Sequence, residues 1–187
     1  MMKMDEKEII QRLKNGDRDA IRAIMQNYQH YVFTVARQIV RNRELAEEIT
    51  QDVFIRVYQK IHSYEERSKF STWLFSIAYR IALNHLRKKQ TASMQKETMY
   101  RGDEIDESIS IDEKPDGVLQ EVLWKAIDRI NQEQGVIISL FYLQEFSVQE
   151  ISQIMGIPQN TVKIKLFRGR NNLRKVLSKN YTLRDLL

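Results

Sequence analysis

Apolar side chains recur three and four residues apart along most of this chain, and the places where that rhythm stops divide it. Between Asp17 and Val40 they fall at Ile21, Ile24, Tyr28, Tyr31 or Val32, Val35 and Ile39, which line one face of a helix. The preceding Asn15, Gly16 and Asp17 supply a turn, with Asp17 placed to cap that helix. A second helix is predicted from about Glu44 to Ile61, where Leu45, Ile49, Val53, Val57 and Ile61 stand four apart. Its other face is less ordinary, since Glu47, Glu48, Gln51, Asp52, Ile55 and Arg56 mix acid with an outward apolar group. A third helix, from about Ser71 to Lys89, turns Leu74, Ile77, Ala78, Ile81 and His85 inward. Steps of three and four then set Trp73, Ser76, Arg80, Asn84 and Arg87 on an adjoining stripe.

The periodicity lapses over residues 90 to 117, and Pro115 near the end of that stretch bars a continuous helix. It resumes at Leu119, Val122, Leu123, Ala126, Ile127 and Ile130, followed by an apolar run from Val136 to Leu143 that is predicted as a buried helix. Ser147 and Glu150 match a capping box, opening a short helix with Ile151 and Ile154 inward, and Gly156-Ile157-Pro158 ends it. Directly afterwards, "TVKIKLFRGRNNLRK" from Thr161 to Lys175 carries six basic side chains and no acidic one. A helix, a tight glycine turn and a basic helix make a helix-turn-helix.

At about 100° per residue, Val162, Leu166, Gly169 and Leu173 gather on the side of this last helix that must pack. Asn160, Thr161, Ile164, Lys165, Arg168 and Asn171 fall opposite, with Lys163 and Phe167 nearer the edges. Arg and Lys pair with guanine edges, Asn with adenine, and an aliphatic group with the thymine methyl, so this mixture suits a DNA groove. A merely solvated basic face is the plainer alternative, but it gives Ile164 no reason to point outward.

Composition fits the helical reading. Two prolines and six glycines in 187 residues leave little punctuation for hairpins, and 42% hydrophobic content is enough to bury cores. The expected fold is all-α: two small helical domains, residues 1–90 and 118–187, joined by a flexible linker over 91–117. Residues 101 to 116 net −5, through Asp103, Glu104, Asp106, Glu107, Asp112, Glu113 and Asp116. The basic charge gathers elsewhere, six cations without an acid in residues 67 to 89 and six more in 159 to 175. Both are candidate polyanion surfaces. The absence of cysteine excludes disulfides and thiolate zinc sites. No apolar stretch approaches the roughly 20 residues of a membrane span, and the N-terminus has no apolar signal core, so the expected location is cytoplasmic with no membrane insertion.

Phe70, Trp73, Phe75 and Tyr79 interleave with the first basic cluster. Aromatics at helical spacing are usually core, as expected for Phe75, but Trp73 shares the stripe of Arg80, Asn84 and Arg87. Exposed rings among cations suit single-stranded nucleic acid, where rings stack on bases and Lys or Arg hold phosphates. Two such surfaces imply a protein that grips duplex at one place and opened strand at another.

Four ordered segments, "GDRDAIRAIMQNY", "ELAEEITQDVFIRVYQKI", "SKFSTWLFSIAYRIALNHLRKK" and "FSVQEISQIMGIPQNTVKIKLFRGRNNLRK", make the chain resemble a bacterial sigma factor of the extracytoplasmic-function type, from about Gly16 to Lys175. The resemblance implies that Glu48, Gln51, Asp52, Ile55 and Arg56 dock on the largest subunit of core RNA polymerase. It implies that the loop of Glu65, Glu66, Arg67, Ser68, Lys69 and Phe70, with Trp73, Arg80, Asn84, Arg87 and Lys88, melts the minus-ten element and captures an unpaired base. Unstacking costs a few kcal/mol, which contacts made only to the open strand must offset. The last helix would read the minus-thirty-five duplex with Asn160, Thr161, Lys163, Ile164, Lys165, Phe167 and Arg168. Family helices commonly carry glycine where Asn160 stands and a small polar residue where Ile164 stands. An anti-sigma factor is a further implied partner, and the acidic linker would thread the polymerase channels until nascent RNA displaces it.

A helix-turn-helix regulator that never meets polymerase is one alternative, and a sigma-like decoy is another. The first leaves the acidic-apolar helix and the single-strand stripe without work, and the second has no need of a basic DNA surface. An enzyme is disfavoured: His30, His62 and His85 lack metal-ligand spacing, no glycine-rich phosphate loop appears, and neither cofactor nor small-molecule substrate is expected.

Overall fold

The computed structural model describes residues 6–96 and 118–180, and among these all regular structure is helical. The first half holds α1 (Glu6–Lys14), α2 (Asp19–Val40), α3 (Arg43–Lys60) and α4 (Phe70–Lys96). The second holds α5 (Val118–Asp128), α6 (Gln132–Ile138), α7 (Val148–Met155) and α8 (Gln159–Asn180). The acidic residues 103 to 116 lie outside the described residues.

Helices α2, α3 and α4 pack on one another, and α1 lies against α2. The predicted inward residues Ile24, Val32, Val35, Ile39, Ile49, Val53, Val57, Ile61, Leu74 and Ala78 are all buried. Helix α1 was not foreseen, because nine residues give only two apolar turns; Ile9, Ile10 and Leu13 are buried beneath it. Arg12 then grips Asp17 Oδ2 from Nη2 at 2.7 Å. The N-cap position of α2 is Arg18 rather than the expected Asp17, which instead accepts the Asp19 amide at 2.9 Å one residue earlier, whereas Asn42 caps α3 by accepting the Leu45 amide at 2.7 Å. Helix α4 runs to Lys96 rather than stopping at Lys89. Its extra residues are good helix formers such as Gln, Ala, Met and Lys, which need no apolar stripe to stay helical.

In the second half α6 and α7 pack on α8, and α5 touches both α6 and α8. The apolar run that was predicted as one helix divides: α6 ends at Ile138 and a wider turn closes Ser139–Leu143, with the Gln144 amide donating to the Ser139 carbonyl at 3.1 Å. The capping box forms as predicted. Ser147 Oγ accepts the Glu150 amide at 3.2 Å, and Glu150 Oε2 accepts the Ser147 amide at 2.8 Å. Gly156 ends α7 in the left-handed region, φ 68°, where a side chain would be strained.

The halves are packed together along α2 with α6 and α4 with α7. Asp128 receives Arg37 at 3.2 Å and Gln38 at 3.1 Å, and Arg41 donates to the Ile130 carbonyl at 2.8 Å. Gln132 donates to the Ile39 carbonyl. Phe75 meets Phe146 edge to face with centroids 5.1 Å apart, and Lys69 pairs with Glu150 at 3.0 Å. These last contacts join α4 and its preceding loop to the helix-turn-helix.

Burial pushes the Glu150 carboxyl up, but the Ser147 amide and hydroxyl and the Lys69 ammonium together hold it below the usual 4.5. A depressed carboxylate stabilises the fold above its unfolded pKa, and that contribution disappears as pH falls through the folded value. Glu150→Gln should therefore lose less stability than the parent on acidification from neutrality to about pH 3. Thermal melts across that range check this; equal losses would mean the charge is not stabilising. Ser147→Ala should cost about 1 kcal/mol in urea unfolding, the ordinary worth of a helix cap.

Candidate nucleic-acid interface

Buried Val162 and Leu166 fix which side of α8 faces the protein. Its free arc carries Asn160, Lys163, Ile164, Phe167, Arg168, Arg170 and Asn171, all exposed. Ile164 is 52% exposed and Phe167 59%, two large apolar groups standing among cations and amides. Asn171, which the helical wheel already set on this side, is among them, and Arg170 and Arg174 extend the arc along the flank of Lys163. Continuing that flank seven and eleven residues on from Lys163 would have found them.

Two members of the predicted set sit differently. Thr161 is half-buried at the seam with the rest of the domain, and Lys165 leans back to Glu133 of α6 at 2.5 Å. The angular reason is plain: Lys165 lies about 100° from its neighbour Ile164 and only about 40° from the Gly169 line, so it belongs to the packed flank.

The second surface is the loop from Glu65 to Lys69 and one stripe of α4. Arg67, Arg80, Asn84, Arg87 and Lys88 are exposed, and Ser68 is half-buried. The loop is internally braced. Tyr64 Oη donates to the Ser68 carbonyl at 2.8 Å, Arg67 pairs with Glu65 at 2.8 Å, and Lys14 with Glu66 at 3.3 Å. Glu66 has φ 60°, the left-handed region, which suits the tight reversal of the loop. Phe70 departs from expectation: it is 1% exposed, edge-on to Tyr28 and Tyr64, and in contact with Trp73. As the first residue of α4 it anchors the helix to the core instead of offering its ring. Trp73 is half-buried between Tyr64 and Phe70, and so presents one part of its ring among the cations.

The third surface is the outer face of α3. Glu48, Gln51 and Arg56 are exposed and Ile55 is 56% exposed, while Asp52 is half-exposed and lies 3.5 Å from His85. Tyr58 was missed, although it follows Ile55 by three and Gln51 by seven and so shares their face. His85, expected inward, is half-buried beside this pair.

Comparison with known proteins shows the family. The family model for sigma-70 region 2 matches residues 24–92, and that for sigma-70 region 4 matches residues 120–173. The chain is 33% identical over 184 residues, 94% of its length and 98% of the relative's, to the ECF RNA polymerase sigma factor SigW of Bacillus subtilis (strain 168). The chain belongs to the ECF sigma factors of RNA polymerase. It is also 25% identical over 179 residues, 89% of this chain and 91% of the relative, to the ECF RNA polymerase sigma-E factor of Escherichia coli (strain K12). The fold matches the sigma factor RpoE from Bartonella quintana, solved in complex with the anti-sigma factor NepR, with TM-score 0.72 and 22% identity over 85% of this chain and 97% of that one. Sigma factors are specificity subunits, so the activity of this one is alternative-sigma transcription initiation. Among the described residues no group of His, Asp or Glu could hold a metal, and no helix is long and apolar enough to cross a membrane.

Two aromatic rings, Phe70 and Phe167, each expected at a nucleic-acid surface, should separate in a stability assay. Phe70→Ala should destabilise the sigma factor by about 3–5 kcal/mol, the cost of emptying a core site. Phe167→Ala should stay within about 0.5 kcal/mol of the parent. Urea unfolding followed by circular dichroism reads both, and similar losses would contradict the assigned burial.

Proposed function

We propose that this sigma factor docks on core RNA polymerase through α3, reads the minus-thirty-five duplex with α8, and melts the minus-ten element with the Glu65–Lys69 loop and the stripe of α4. Exposure of Ile164 and Phe167 is the observation that carries this reading. Two large apolar groups on an otherwise cationic helix need a partner that offers both phosphates and apolar base edges, as a thymine-containing groove does. Asn160, Lys163, Arg168 and Asn171 add donors to that arc. On α3, Ile55 and Tyr58 give an apolar centre with Glu48, Gln51 and Arg56 at its rim, the composition of a protein-docking patch.

In this reading Arg67, Lys69, Arg80, Arg87 and Lys88 hold phosphates of the open strand, and Trp73 supplies a stacking surface. Melting is then differential binding: the loop and stripe gain contacts only once bases are unpaired. The two promoter elements are about 25 base pairs apart, roughly 85 Å of duplex at 3.4 Å per pair. Helices α4 and α7 touch, so the halves must part when both elements are engaged. An anti-sigma factor is the expected regulator. The solved RpoE and CnrH relatives of the same fold are complexes with NepR and with the cytosolic domain of CnrY.

Run-off transcription with purified core polymerase on genomic fragments tests the reading. New RNA starts that share two upstream motifs are expected only when the protein is added. Ile55→Glu should weaken core binding about tenfold or more without unfolding the protein, because it buries a charge at the centre of the patch. Lys163→Gln should lower the slope of log affinity against log salt by about 1 at every promoter. Core binding without new starts would favour a decoy, and the absence of both would favour a regulator that acts without polymerase.

A further inference from the structure

Helix α8 is held against α6 at three points along one line. Lys165 Nζ meets Glu133 Oε2 at 2.5 Å, and one turn on, a Cβ at Gly169 would lie only 3.2 Å from Ile138 and 3.3 Å from Gln134. Asn172 Nδ2 donates to Gln134 Oε1 at 2.9 Å. Positions 165, 169 and 172 are four and three apart, so they form a single stripe, which lies away from Ile164 and Phe167 and is bordered by Arg168, three residues from Lys165 and four from Asn172. Glycine in the middle brings the two helices close and offers no side chain to resist rotation. Buried Val162 and Leu166 set which side of α8 faces inward, and the polar pairs at either end of this stripe refine its roll about the axis.

Glu133 is itself well fixed. It stands in the first turn of α6, where Asn131 Oδ1 accepts its amide at 3.1 Å and the helix dipole favours a carboxylate. Its partner Lys165 keeps 29% side-chain exposure, well below that of Lys69 on the other surface. The consequence of losing this fixation is geometric. A roll of about 20° moves a side-chain tip at a radius of roughly 5–6 Å by about 2 Å, which is more than a hydrogen bond to a base edge tolerates.

We infer that Glu133, acting through Lys165, is a positioning residue that sets the rotation of the recognition helix and hence which minus-thirty-five sequences are read. Lys165 is accordingly a strut of the reading head and not one of its phosphate contacts. The inference rests on the sigma-factor function proposed above.

The test uses the full-length protein with core polymerase on a promoter that supports wild-type starts, its minus-thirty-five hexamer randomised, with start usage counted by sequencing. Glu133→Lys and Lys165→Glu should each lower use of the preferred hexamer relative to its single-base variants about threefold, the scale of a partly exposed ion pair. The double swap should restore the original ranking. Glu133→Gln, which avoids placing a cation in the first turn of α6, should reproduce the loss if Glu133→Lys does not fold. Lys165→Gln should leave the salt slope of holoenzyme binding unchanged, unlike Lys163→Gln. A double swap as impaired as Lys165→Glu alone, or a Glu133→Gln that keeps the wild-type ranking, overturns the inference. Wild-type protein that yields no starts overturns the sigma-factor reading and this inference with it, whereas wild-type starts with no rescue overturn the inference alone.

Discussion

Helix α4 has to satisfy three surroundings at once, and the rest of the molecule is arranged around that demand. One side, with Phe70, Leu74, Ala78 and Ile81, packs into the bundle with α2 and α3. A second, turned by about 100°, carries Phe75, Tyr79, Ala82 and Leu86 toward the second half, where Phe75 meets Phe146. Only the third, with Trp73, Arg80, Asn84 and Arg87, is left for solvent or nucleic acid. Burial pushes the Tyr79 hydroxyl's pKa up, helped by Glu133 and opposed by Arg87, which places Tyr79 between the second half and the cationic stripe. The same helix is thus a core element, a domain contact and a candidate DNA surface.

Acidic groups of the helix-turn-helix half hold cations in two distinct ways. Lys165 and Glu133 belong to the same half, so their pair survives any separation of the halves. Lys69 and Glu150 belong to different halves, so theirs does not. Glu150 can release Lys69 without losing its role as a cap because its two oxygens are divided: Oε1 faces Lys69, and Oε2 takes the Ser147 amide and hydroxyl. Parting the halves therefore frees a cation of the Glu65–Lys69 loop while α7 keeps its first turn.

The architecture was legible because helical periodicity is strong wherever one face is buried, as for Ile49, Val53 and Val57, and because Ser147, Glu150 and Gly156 mark helix ends by chemistry independent of packing. What escaped were features set by neighbours in space. Phe70 looked like one more aromatic among cations, and only the converging rings of Tyr28, Tyr64 and Trp73 make it core. Lys165 was set on the outer arc although the helical wheel brings it within about 40° of Gly169, and the wheel could not supply its partner Glu133. The association of the halves had one sequence signal, the apolar arc of α4. With Phe75, Tyr79 and Ala82 added to Leu74 and Ala78, it is broader than one bundle needs.

The contact between the halves is of a kind that can be exchanged. Beside the apolar seam in which Phe75, Tyr79, Ala82 and Leu86 of α4 face the second half, it includes replaceable polar links: Arg37 and Gln38 on Asp128, Arg41 on the Ile130 carbonyl, Gln132 on the Ile39 carbonyl, and Lys69 on Glu150. Each of these links has water as an alternative partner, so each contributes only about 0.5–3 kcal/mol net. The buried cores of the two halves, by contrast, contain Ile24, Ile49, Leu74, Ile127, Ile137 and Ile151 with almost no exposure, and these have no such substitute. Separation exchanges those links for water but must also uncover the apolar seam along α4. Moving such an equilibrium from about 1:99 to 99:1 takes a partner that binds the separated form about ten-thousandfold better. The surfaces on α3, α4 and α8 are where such differential affinity would have to arise, because they are the large exposed apolar and cationic areas that the packed halves leave uncommitted.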